Sequence, residues 1–307
     1  QDAAIRGTND DATTARLSSA SLGYFTDPFA AYFVRGRPSS TSVSLRKPPI
    51  INRGSFARFD ALHSIVSQFV RSSEAPDLDR QIVVLGAGFD SRFFMLKSES
   101  IQPRRFIEID FPEITSKKAQ VIKKNKAMAD LLGDHVLAVG GSEIHGNEYS
   151  LISGDLRQWH SEIVPKLLAV GFDANIPTLF LTECVLVYMP PEAIKTVIDW
   201  CAQYPISSIM LNYEQVNPDD SFGRMMLENL KLRNVFLPGL ISCPTLESHK
   251  ARYADAGFNG ATHAITMWEY YEYYVTPEEH ARLGKLEIFD EVEEWKLMAE
   301  HYCITWA

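Results

Sequence analysis

The stretch Ile82–Arg92, IVVLGAGFDSR, holds the first residues whose types and spacing could do chemistry. A β-branched run ends in Gly86-Ala87-Gly88, and glycines at a strand exit let the backbone approach a ligand with no Cβ in the way. A dinucleotide-binding turn would carry a third glycine at position 91, where this chain has Ser91. That departure disfavours a nicotinamide cofactor, and the turn alone is equally compatible with a plain strand–helix junction. The next apolar run, RFIEID (105–110), ends in Asp110, 24 residues after Gly86. A carboxylate there can grip the two hydroxyls of a ribose. A third run ends near Asp155 and a fourth at Glu183. Acids at three successive strand tips repel phosphates and attract an ammonium or sulfonium. An adenosine with a cationic tail suits them better than a pyrophosphate does, and S-adenosylmethionine is such a ligand.

Those tips must be positioned by alternating strands and helices. Strands are expected at 81–86, 105–110, 149–156, 177–183 and 207–214, with helices after each of the first four. Pro112 and the prolines before Glu192 fit helix first turns. This alternation predicts an α/β fold: a doubly wound, mainly parallel Rossmann-like sheet covered on both faces. Ahead of it, residues 12–34 read as helix broken near Gly23 and at Thr26-Asp27-Pro28, where Asp27 can cap. Residues 35–49 read as a loop. A further helix puts Phe59, Leu62, Val66 and Phe69 on one apolar face. The expected organisation is an N-terminal helical cap or lid over 1–75 and one structural unit over 76–307, including C-terminal helical insertions. The glycine-rich AVGGSEIHGNEY stretch (138–149) is expected to be a flexible loop.

Composition narrows the classes. The 307 residues carry 30 Lys and Arg against 39 Asp and Glu, a net charge of −9. That makes a poor nucleic-acid binder, since backbone affinity rests on basic residues. Residues 1–70 hold eight Arg and Lys against five Asp and no Glu, a local +3. Four scattered cysteines show no Cys-x-x-Cys pair, so neither a metal cluster nor a disulfide framework is expected. His135, His145 and His160 lack metal-ligand spacing. No apolar run approaches the ~20 residues that span a bilayer, and no leader pattern opens the chain. A monomeric intracellular protein, cytoplasmic with access to the nucleus, is the expectation.

With RGSFAR, LGAGFDSR, FIEIDFP, SGDLR and TECVLVYM in one order, the chain resembles the leucine carboxyl methyltransferase family. NYEQVNPDDSFGRMMLENL and the final HYCITWA extend the resemblance to the end. It implies a seven-stranded methyltransferase sheet and S-adenosylmethionine-dependent methyl esterification of the C-terminal leucine carboxylate of type 2A protein phosphatase catalytic subunits, with S-adenosylhomocysteine as product. The related tRNA-wybutosine-modifying methyltransferases append a kelch-type repeat region with no counterpart here, which favours the phosphatase-directed branch. Carried over by motif, the resemblance implies that Arg58 binds the cofactor's methionine carboxylate and that Gly86 holds its amino acid portion. Asp110 would bind the ribose, Asp155 the adenine with Leu156 as a backbone neighbour, and Glu183 would meet the ammonium side or help shape the methyl-transfer site. Arg16, where the family often has Lys, and Tyr188 would position the substrate carboxylate.

Each of these residues has a plainer reading. Arg58 could be a solvated helix arginine, Asp155 a helix cap, and Glu183 one half of an ion pair. Asp90 is read as a cap for the helix after the glycine turn and is given no ligand role. Two rival functions stay open at this level. One is a small-molecule O-methyltransferase on the same fold; the other is a non-catalytic module that binds the phosphatase.

Overall fold

Each expected strand forms where its apolar run predicts. In the computed structural model, which describes residues 1–34, 46–71 and 79–307, the strands are β1 (Gln81–Leu85), β2 (Arg105–Asp110), β3 (His135–Ala138), β4 (Glu143–Gly146), β5 (Tyr149–Ser153), β6 (Thr178–Glu183), β7 (Ser208–Gln215), β8 (His263–Thr266) and β9 (Tyr302–Trp306). They join in one sheet in the order β3-β4-β5-β2-β1-β6-β7-β9-β8. The central five are mutually parallel, and an antiparallel pair extends each edge. The Rossmann-like class therefore holds, with nine strands among the described residues in place of seven. The glycine-rich stretch expected as a flexible loop is instead the β3–β4 hairpin, turned by Gly140 and Gly141 at φ 66° and 89°. Its outer strand leaves Val136 and Leu137 exposed, so it lacks the buried alternation by which a strand is read.

Both faces of the sheet are covered. One face, with Ile82, Val84, Phe106, Leu151 and Leu181, shares a single apolar core with Tyr24, Phe29, Phe56 and Leu62 of the N-terminal helices. The opposite face, with Val83, Ile107, Ile109, Phe180 and Met210, packs on Trp159, Leu167, Val197 and Tyr253. The period-two alternation along β1 thus faces two cores, which is why the run is apolar throughout.

The N-terminal helices are α1 (Asp2–Ser21), α2 (Ala30–Phe33) and α3 (Pro49–Arg71). Asp27 caps as expected: its Oδ1 accepts from the N–H groups of Phe29 and Ala30 at 3.0 and 3.1 Å. Phe59, Leu62 and Val66 are buried on α3, with Phe69 packed against the same core. Most of the loop expected at 35–49 lies outside the described residues. The helix expected after β5 is a composite of a tight turn at Leu156–Gln158, a wide π turn at Trp159–Ile163 and α-helix over Val164–Ala169. Pro165 supplies the reason, because its ring and missing N–H disrupt the regular ladder one turn earlier. No helix among the described residues is long and apolar enough to cross a membrane.

Candidate functional site

The chain leaves β1 for β2 and β5 on one side, then returns to β6 and β7 on the other. In open α/β sheets, the crevice at the carboxyl ends of strands around such a reversal is where ligands bind. Here it is a cavity of about 380 Å³, within the range of small-molecule sites. Gly86, Asp110, Asp155 and Leu156 line it from the sheet side. Arg16, Arg58, Glu183 and Tyr188 line it as well, so all eight residues singled out from sequence share one cavity.

The glycine turn is tight for a reason beyond ligand approach. Gly86 sits at φ 69°, and a Cβ there would lie 2.5 Å from Val185 Cγ2. The segment leaving β6 therefore crosses directly over it. Two residues on, the Gly88 N–H donates to Asp110 Oδ2 at 2.7 Å, while the Phe111 N–H donates to Oδ1 at 2.7 Å. These bonds tie the β2 tip to the turn. Burial pushes the Asp110 carboxyl up to about 6, against the lowering effect of the two N–H groups.

Glu183 carries more positive company than the sequence suggests. Burial would raise its pKa, but Arg58, Arg92 and Arg16 together hold it down at about 2. Arg58 Nε donates to Oε1 at 2.5 Å, and Arg92 Nη2 donates to Oε2 at 3.2 Å. Arg58 also stands 5.0 Å over the Tyr213 ring. Arg92, fully buried, pairs through Nη1 with Asp90, whose Oδ1 accepts from the Arg92 N–H at 2.9 Å. Ser91, and not the expected Asp90, is the N-cap of the helix after the glycine turn; Asp90 stands one residue earlier, accepts from the first helical N–H, lines the cavity and belongs to this ion network. Arg16 Nε donates to Asp27 at 2.6 Å, and its Nη1 lies 3.8 Å from Asp90. The rim is accordingly a balanced lattice of charge. Neither Asp110, which accepts from two backbone N–H groups, nor Glu183, paired with arginines, is the bare acid that the sequence argument assumes.

Asp155 performs the plainer role assigned to it. Its Oδ1 accepts from the Arg157 N–H at 2.9 Å, and the Arg157 guanidinium bridges it to Asp2 of α1. Tyr188 ends the turn Leu186–Tyr188, its N–H donating to Val185 O at 3.1 Å. Burial raises its phenol well above the ordinary range, so the hydroxyl stays a donor.

Four further lining residues bear on the site although the sequence reading gives them no role. Asn9 of α1 accepts from the Phe89 N–H at 3.0 Å, leaving its buried Nδ2 without a partner. Cys184 follows Glu183 at φ 56°, a left-handed position rare for a non-glycine residue. Strain of that kind concentrates at ligand sites, but no residue type announces it. Gln215 and Tyr302 face each other across β7 and β9, brought together from 87 residues apart. Burial pushes the Cys184 thiol up to about 12, which keeps it protonated.

Against known proteins, the family described as leucine carboxyl methyltransferase matches residues 4–202. The leucine carboxyl methyltransferase 1 homolog of Arabidopsis thaliana is 37% identical over 310 residues, covering 99% of this chain and 89% of that protein. Leucine carboxyl methyltransferase 1 of Bos taurus is 37% identical, covering 100% and 90%. The tRNA wybutosine-synthesizing protein 4 of Homo sapiens is 36% identical over 98% of this chain, which spans only 43% of that longer protein. Among solved structures, a DUF574 family protein of Streptomyces avermitilis superposes with a TM-score of 0.54 at 12% identity, covering 84% of this chain and 85% of that one. A Thermobifida fusca protein, provisionally assigned as a methyltransferase, gives the same TM-score at 11% identity, covering 83% and 81%. At such identities the likeness is one of fold.

Proposed function

The chain belongs to the leucine carboxyl methyltransferase family, and on that premise we propose that it methylates the C-terminal leucine α-carboxylate of a type 2A protein phosphatase catalytic subunit. The observation that carries the reading is the convergence of all eight motif residues on one cavity beneath α1. The donor fits that cavity. A left-handed glycine turn, the unpartnered buried donor Asn9 Nδ2, a strand-tip acid suited to a diol and a half-buried arginine give an adenosyl amino acid its complements. S-adenosylmethionine, when bound, supplies a methyl group already activated on a sulfonium, leaving S-adenosylhomocysteine. Arg58 would hold its carboxylate, Gly86 and Glu183 its amino end, Asp110 the ribose, and Asp155 with Leu156 the adenine. A guanidinium has five N–H donors; Arg58 commits Nε to Glu183, and the others can meet an anion.

The acceptor needs no general base, because an α-carboxyl with a pKa near ~3.5 is ionised at neutral pH. What the protein supplies is alignment and exclusion of water, and orientation is worth roughly 7–11 kcal/mol in such cases. Arg16 is suited to orient a carboxylate without quenching it, since Asp27 and Asp90 already share its charge. Tyr188 offers a neutral hydroxyl donor. Cys184 stays a thiol and so does not compete for the methyl group, because the thiolate is the reactive form.

Two outcomes check the roles. Tyr188→Phe should leave cofactor affinity unchanged while lowering kcat roughly tenfold to a hundredfold, the worth of a hydrogen bond to a charged acceptor. Loss of cofactor binding, or no change in either quantity, would make Tyr188 structural. The second concerns pH. An acid whose folded pKa of about 6 exceeds its unfolded ~3.9 favours the ligand-free fold most when protonated. That contribution is lost as pH rises through the folded value. Ribose binding runs the other way, because only the ionised form accepts from both hydroxyls. Cofactor affinity should therefore rise as pH increases through about 6 and level off above it. Calorimetry on Asp110→Asn should give a flat profile at lower affinity, and a flat wild-type profile would remove Asp110 from the ribose.

The direct test is transfer of labelled methyl from S-adenosylmethionine to a type 2A phosphatase catalytic subunit, with the same subunit lacking its terminal leucine as control. Alkali-labile label on the intact subunit alone supports the reading. Cofactor binding without label on either form points to a small-molecule acceptor, and no cofactor binding points to a non-catalytic module.

A further inference from the structure

Gln215 ends β7 and is only 6% exposed, yet its Oε1 has no hydrogen-bond partner and the residue lines the cavity. Tyr302, its cross-strand partner on β9, lies beside the same side chain, and the amide oxygen is the end without a donor. A buried carbonyl oxygen without a donor carries a standing desolvation cost. A ligand N–H relieves that cost only by reaching the cavity at the β7 tip.

The sheet order decides which ligand can do so. Going across the sheet, the ribose acid Asp110 is on β2, the glycine turn on β1, Glu183 on β6 and Gln215 on β7. Three strand spacings separate β2 from β7, about 14 Å at ~4.8 Å each. The adenosyl end and Gln215 therefore occupy opposite flanks, with Glu183 and Arg58 between them. On the Gln215 flank stand Tyr302, Cys184 and Tyr188, all lining the cavity. Tyr302 stacks on Tyr213 at 5.5 Å, and Tyr213 in turn carries Arg58 on its face. This is the acceptor side, where a peptide's last residue brings a carboxylate for Tyr188 and, one atom beyond its Cα, a backbone N–H.

We propose that Gln215 Oε1 accepts the backbone N–H of the substrate's terminal residue, and that Tyr302 holds the Gln215 amide in the orientation that does so. The pair then selects a peptide-linked C-terminal residue over a carboxylic acid lacking that N–H. This rests on the carboxyl methyltransferase reading and deepens it by naming what distinguishes a protein terminus from a free organic acid.

The test uses two semisynthetic phosphatase catalytic subunits, one ending in leucine and one ending in the matching 2-hydroxy acid, which replaces the N–H by an ester oxygen. Label incorporation is followed at neutral pH, where the ester link survives. With wild-type protein, kcat/KM should fall about tenfold to a hundredfold for the ester, the usual cost of an unpartnered buried acceptor. Most of that loss should appear in KM. In Gln215→Leu the two substrates should differ less than about threefold, with cofactor affinity by calorimetry unchanged. Gln215→Met, closer in shape, replaces that variant if its melting shows it unfolded. Equal rates of wild-type protein on both substrates would overturn the proposal, as would undiminished discrimination by the variant. A loss of cofactor affinity with discrimination intact would assign Oε1 to the cofactor's ammonium and also overturn it. No label on the leucine-ended subunit with wild-type protein would overturn the underlying reading, and the proposal with it.

Discussion

Arg58→Ala is expected to lower cofactor affinity at least about 100-fold and to lower the melting temperature as well. Two separate losses contribute. The cofactor's carboxylate loses its guanidinium, and Glu183 loses the nearer of the two arginines hydrogen-bonded to it, Arg92 being the farther at 3.2 Å. Removing one partner of a buried pair costs about 3–5 kcal/mol. The side chains here are 28% and 18% exposed, so the lower end of that range applies to stability. The linkage sign is definite: Glu183 is held at about 2, below its unfolded ~4.3. Its contribution is therefore present in full above ~4.3 and is lost progressively as pH falls from there through about 2. Arg58→Lys separates the two losses. A lysine keeps a charge near Glu183 but lacks the planar fork, so stability should recover more than affinity. Calorimetry and thermal melts on both variants check this. Near-native cofactor affinity in Arg58→Ala would remove Arg58 from the site, whatever happened to the melt.

The contrast between Asp110 and Arg58 explains what could be read from sequence. Asp110 and Glu183 are legible because each closes an apolar run that must be a central strand, and strand tips at a reversal face the crevice. Gly86 is legible for the same reason. The partners of Glu183 are not. Arg58 comes from α3, 125 residues away, and only the family motif singles it out. Arg92 and Asp90 look like an ordinary helix start, yet they join the ion lattice that makes the rim nearly neutral. Asn9, Gln215 and Tyr302 depend on tertiary contacts between distant segments; Gln215 and Tyr302 fall within stretches that carry the family resemblance, yet nothing in their local pattern gives any of the three a role. The β3–β4 hairpin was hidden by exposure, since an edge strand with both faces partly open lacks the burial alternation that reveals a strand. The helix after β5 was legible in existence but not in form, because Pro165 breaks a run that otherwise reads as continuous.

Gly86→Ala is the change expected to disable the site most completely for the smallest alteration. An alanine at φ 69° costs roughly 1–3 kcal/mol in backbone strain. Its Cβ would also lie 2.5 Å from Val185 Cγ2 and 2.9 Å from Cγ1. Val185 is β-branched and stiff at χ1, so it cannot swing aside, and overpacking of that sort costs about 1–3 kcal/mol more. Relief can come only by shifting the backbone after Cys184. Val185 O accepts from the Tyr188 N–H, so such a shift carries the Tyr188 turn with it. Cofactor binding and methyl transfer should both fall at least about 100-fold, because the Gly86 backbone and the acceptor side move together. Gly133→Ala is the control, since it has φ 66° with open space at the Cβ position; it should show strain alone, with binding intact. The double variant Gly86→Ala/Val185→Ala completes a cycle. If the clash governs, removing the Val185 side chain restores part of the stability and affinity lost in Gly86→Ala, and the residue of the loss measures the strain. Strict additivity of the two single changes would show instead that Val185 is indifferent to what stands at position 86.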